Sequence, residues 1–161
     1  MVGCEKKNNT PPKSFTVTNV KFDSWDFSEP YSDILDYDFL DISIFTSEGR
    51  MYEDYFYHLY KNRLESEYRI YPTNALSDNS FNTSIKANYF SDDNIYYYLF
   101  IRGCDSYDYE YYNDFPQDLD ELFEGFISVL VFTKNDIENK TSITLKGQYS
   151  NQFTLKLKWN Y

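Results

Sequence analysis

The sequence predicts an all-β fold: a two-sheet antiparallel sandwich of about eight strands, with one short helical turn in an acidic loop. Three observations carry this. Short runs dense in Tyr, Phe, Ile, Val and Thr recur along the whole chain, the composition that suits a pleated, half-buried surface. The run FTLKLKWNY (153–161) alternates apolar and polar without a break, the two-residue period of a strand with one wet face. Turn-forming clusters separate these runs at short intervals.

Composition narrows the class further. A chain of 161 residues is most simply one domain, here 14–161, large enough to bury a real core. The 18 Tyr and 14 Phe make it too apolar to be disordered despite a net charge of −11. That charge argues against nucleic acid as a partner, and against anionic membranes unless a cation bridges the two. No run approaches the roughly 20 apolar residues of a membrane helix. With one His (His58) and two Cys (Cys4 and Cys104), the usual Cys and His zinc sites cannot be built. No motif surrounds His58 to suggest a nucleophile–base pair. Carboxylates are plentiful, but glycoside hydrolysis needs two at a set separation across a cleft, which abundance does not supply. The expectation is a non-enzymatic binding module.

Taken in order, residues 1–13 read as a polar, Pro-containing tether. From Ser14 the first strand runs SFTVTNVKF. In LDISIFT, Leu40, Ile42 and Ile44 face one way, Asp41 and Ser43 the other. Ser47–Arg50 is a turn. Met51–Leu64 fits both periods: Tyr52, Tyr55, Phe56, Leu59 and Tyr60 at helical spacing, Tyr55, Tyr57 and Leu59 at strand spacing. Aromatic content favours strand. EYRIY stops at Pro72. SIKANYF and IYYYLFIR read as a hairpin around Ser91–Asn94. GFISVLVFT, SITLKGQY and FTLKLKWNY complete the set, the last two joined tightly enough for a hairpin. Lys146, Lys156 and Lys158 are placed to keep its edge soluble.

Two stretches stand apart. The first, Asp23 to Asp41, holds seven carboxylates. The second, Asp105 to Glu124, holds eight and no Lys or Arg. Within the latter, FPQDLDELFEG suits a helical turn: Pro116 at the first position, Asp118, Asp120 and Glu121 at the positive end, Gly125 past the C-terminus. Like charges at such density repel unless neutralised, and a divalent cation with 6–8 oxygen ligands would neutralise them. Calcium is the expected ion, with Asp23, Asp26 and Glu29 meeting Asp105, Asp108 and Asp114. The alternative needs no metal: Tyr107, Tyr109, Tyr111 and Tyr112 alternate with acids and could grip a glycan or protein through rings and acceptors.

Two resemblances attach to these residues. Met-Val-Gly-Cys at positions 1–4 is similar to the processing site of small bacterial cell-envelope lipoproteins of the Bacteroidetes type. That resemblance implies lipid on Cys4 and a place at the envelope. Asp23, five residues, then Glu29-Pro30-Tyr31 resembles the first acidic loop of calcium-dependent phospholipid-binding sandwiches, the second conserved region of protein kinase C. In that family the motif carries Asp where this chain has Glu29, and the second loop's Asp spacing is absent before Gly125. This second resemblance implies a sandwich with calcium held by loops at one end.

Overall fold

In the computed structural model the described residues are 10–24, 37–52, 55–56, 68–73, 76, 78–104, 126–147 and 151–161. They form eight strands: β1 (Ser14–Ser24), β2 (Phe39–Glu48), β3 (Tyr68–Pro72), β4 (Ser80–Asn88), β5 (Ile95–Cys104), β6 (Phe126–Thr133), β7 (Ser142–Lys146) and β8 (Gln152–Asn160). A single helical turn, α1 (Lys134–Ile137), follows β6. The strands make two antiparallel four-stranded sheets, β4-β1-β8-β7 and β3-β2-β5-β6. The fold is the expected sandwich.

Why β1 serves this core is visible in its spacing. Phe15, Val17, Val20 and Phe22 are all buried, although a strict two-residue period would put the second pair on the opposite face. Register against both β4 and β8 shifts between Val17 and Asn19, so one extra residue resets the alternation. β5 faces it with Tyr97, Leu99 and Ile101, β2 with Leu40, Ile42 and Ile44, and β8 with Phe153, Leu155 and Leu157. At one end of this core Phe15 meets Tyr97 edge-on with centroids 5.2 Å apart, and Tyr97 stacks on Phe132 at 5.3 Å.

The strand order has a known form. Let β1, β2, β4, β5 and β6 be strands B, C, E, F and G, with β3 as C′. The second sheet then runs C′-C-F-G, and the first runs E-B with β8 in the place of A. This is an immunoglobulin-type Greek key whose A position is filled from the C-terminal side. Strand order alone carries no activity.

Several expectations need correction. The runs around Ser91–Asn94 are no hairpin: β4 pairs with β1, β5 with β2, and the connection crosses between sheets. Asp41 and Ser43 do point away from Leu40 and Ile42, but not into water; both are buried. So are Tyr98 and Phe100 of β5. The reason is a second apolar layer on the outer face of the second sheet, where Phe45, Tyr98, Phe100 and Val129 pack with Phe56. Tyr55 and Phe56 have helical backbone rather than strand, and the turn brings Phe56 to 5.7 Å from Tyr98 and 5.8 Å from Phe100. Most of Met51–Leu64, like the FPQDLDELFEG turn, lies outside the described residues. β8 is also no edge, since it lies between β1 and β7. Its Lys156 and Lys158 are exposed on the sheet's outer surface, while Lys146 is on the edge strand β7.

Candidate functional site

Antiparallel pairing gives the sandwich two distinct ends. β2 begins where β5 finishes, with Phe39 paired to Cys104. β3 finishes there too, with Pro72 opposite Phe39. On the other sheet β1 finishes beside the start of β8, with Ser24 paired to Gln152. The loops that follow β1, β3, β5 and β7 therefore leave from one end. Both acidic stretches belong to it. This follows from backbone register alone.

The frame at this end is well tied. Thr73, buried after β3, donates its hydroxyl to the Tyr37 carbonyl at 2.5 Å, and its N–H donates to the Asp38 carbonyl at 3.0 Å. Those bonds fix the chain as it leaves the first acidic stretch and enters β2. Gly103, opposite Leu40 on β5, lets the Tyr37 ring lie against its backbone; a Cβ there would overlap the ring. Asp78 and Asn79 turn the chain into β4 with φ of 52° and 55°, a left-handed pair that short polar side chains tolerate.

Of the proposed calcium ligands, Asp23 is described. It is the extra residue where the β1–β8 register shifts between Phe22 and Ser24, a bulge that redirects its side chain at the strand's end. Its carboxylate lies 3.5 Å from the Lys21 ammonium and accepts a hydrogen bond from the Thr154 hydroxyl. Asp26, Glu29, Asp105, Asp108 and Asp114 lie outside the described residues, as do Tyr107, Tyr109, Tyr111, Tyr112 and Cys4. Among the described residues no three His, Cys, Asp or Glu side chains converge in a way that could hold a metal. Behind the site, on the outer face of the second sheet, Asp41 stands opposite Arg102 with 1% exposure.

The opposite end is braced in its own way. Lys13 donates its N–H to the Asn160 carbonyl at 2.8 Å, so the chain enters β1 at this end. The β4–β5 crossing is clamped by Tyr97, whose hydroxyl donates to the Asn88 carbonyl at 3.1 Å and accepts from the Phe90 N–H at 3.0 Å. A tyrosine near the start of strand F bonding back across the E–F corner is the tyrosine corner of immunoglobulin-type sandwiches. Burial pushes the Tyr97 phenol above its ordinary 10.0, against the Phe90 N–H, which favours the phenolate. Beside it Lys134 pairs with Asp93 at 2.8 Å, and that hydrogen-bonded carboxylate holds the ammonium pKa up. The Asp136 carboxylate accepts from both the N–H and the hydroxyl of Thr133, capping α1. The spacing Thr133-x-x-Asp136 was the available signal for that turn. Nothing in IYYYLFIR distinguishes Tyr97 from Tyr96 or Tyr98 as the clamp.

Among the described residues no helix is long and apolar enough to cross a membrane. No protein-family model matches the chain, and no curated protein is significantly similar to it in sequence.

Proposed function

We propose that the chain is a non-enzymatic binding module, held at the cell envelope through lipid on Cys4, whose acidic loop end takes up calcium and presents the braced rim to a glycan or protein. One observation supports this above the others: the Phe39–Cys104 pairing sends both acidic stretches out at one end, away from the Lys13 tether. Fourteen carboxylates, Asp23 to Asp38 and Asp105 to Glu124, thereby leave from neighbouring strands with no Lys or Arg between them. Cations that gather such oxygens relieve repulsion of about 1 kcal/mol per close pair even in water. Asp23 would have to exchange Lys21 and Thr154 for the ion.

Thermal unfolding with calcium and with chelator tests the metal. At about 100 times its dissociation constant, an ion bound only by the folded state adds about 2.7 kcal/mol, several degrees for this size. No shift at millimolar calcium removes the cation and leaves metal-free recognition by Tyr107, Tyr109, Tyr111 and Tyr112. Mass spectrometry of the native protein tests the anchor, and mature chains with an unmodified Met1 would refute it.

A further inference from the structure

The end of the sandwich where Lys13 leads into β1 carries exposed aromatic surface. Among the described residues the exposed large apolar side chains are Tyr52, Tyr55, Phe90 and Tyr161, at 71, 57, 38 and 71% exposure. They follow β2, β4 and β8, strands that all finish at the Lys13 end. Charge divides the two ends. The segments that enter or leave here, 1–13, 49–67, 89–94 and 134–141, carry nine acids and eight bases, near balance. The opposite loops carry fourteen acids and no base.

We infer that this end is a lipid-facing surface: Tyr52, Phe90 and Tyr161 rest in the interface of the bilayer that anchors Cys4, and the acidic end points away from it. The inference rests on the Cys4 anchor proposed above. Covalent geometry limits the alternatives. Nine residue steps from Cys4 to Lys13 reach at most about 30 Å even fully extended. The sandwich is itself about 35 Å long, as the eleven residues of β1 require. An anchored module therefore cannot leave the headgroup region by much more than its own length, and its Lys13 end stays within reach of the interface. Tyr rings combine an apolar body with a polar tip and favour that boundary. An anionic leaflet repels the far end and sets the orientation. Any bound calcium would then serve the outward ligand rather than the anchoring membrane.

Hydrogen exchange on the full chain with Cys104→Ser, which leaves Cys4 as the sole thiol, tests this directly. Cys4 is coupled to a maleimide lipid in phosphatidylcholine/phosphatidylglycerol vesicles, or to a soluble maleimide as reference. Amides of 49–52 and 89–94 are expected to exchange about threefold or more slowly on the vesicle, with Asn79 and Asn151 unchanged. Replacing Tyr52, Phe90 and Tyr161 together by Ser should abolish the slowing. Should that chain fail to fold by circular dichroism, Tyr161→Ser alone should weaken it. Equal rates in both forms, slowing at Asn79 and Asn151 instead, or slowing that survives the Ser substitutions overturns the inference. Because the lipid is attached chemically, these outcomes are independent of whether Cys4 is lipidated in its host, which mass spectrometry reads separately.

Discussion

The Tyr97 hydroxyl and the Phe90 N–H, 3.0 Å apart, fasten the one described crossing that carries the chain from the first sheet to the second after β4. Tyr97→Phe keeps the ring stacked on Phe132 but strands both the Phe90 N–H and the Asn88 carbonyl. The expected loss is about 1–3 kcal/mol, since a deprived partner in a part-buried site keeps its desolvation penalty. Urea unfolding measures it. A loss below the error of the fit would show that water replaces the hydroxyl.

The same residue gives a pH signature. Burial raises the Tyr97 pKa in the folded state, so the unfolded chain releases that proton first as pH rises. The contribution is complete below the ordinary value of 10.0 and is lost as pH climbs through the raised folded value. Unfolding midpoints of the parent chain should fall more steeply above pH 10 than those of Tyr97→Phe. Parallel curves would refute the assignment.

Phe56 seals the outer face of the second sheet against Tyr98 and Phe100. Phe56→Ala should cost about 3–5 kcal/mol, the range for emptying a buried aromatic site. Binding of a hydrophobic dye should rise as Phe45 and Val129 lose cover. A cost under about 1 kcal/mol would mean that the cluster closes without it.

At the acidic end Gly103→Ala puts a methyl where the Tyr37 ring lies. Overpacking of this kind costs about 1–3 kcal/mol. Because Tyr37 precedes β2 directly, the displaced ring also loosens the exit of the first acidic stretch. Calcium stabilisation, where present, should shrink in this variant. An unchanged calcium response with a lowered midpoint would separate the frame from the ion site.

Alternation made β8 and the inner face of β2 legible: Leu155, Leu157, Ile42 and Ile44 point where the two-residue period puts them. β1 was legible as a strand but not in register, because the shift after Val17 leaves no mark in a stretch of Thr, Asn and Val. The buried outer face was hidden for a different reason. Asp41 and Ser43 look solvated to any period analysis, which does not see that Phe56 and Met51 pack on that surface as part of a second core. Local spacing could not reveal that SIKANYF and IYYYLFIR sit in different sheets, since a tight hairpin and a crossing use the same turn residues. The acidic stretches were evident from charge. Their convergence required the Phe39–Cys104 register, which is a long-range property.

β8 lies between β1 and β7, and its pairing of Trp159 with Phe15 joins nearly the two extremes of the chain. Contacts of such sequence separation are closed late, because the entropy of ordering the intervening loop must be met before they form. During synthesis β1 has only β4 beside it in the first sheet until β8 has been made. A chain made only as far as β7 thus carries β1 with one open edge, and the first sheet cannot close until its last strand arrives. Filling the A position from the C-terminal side acts as a folding delay written into the topology.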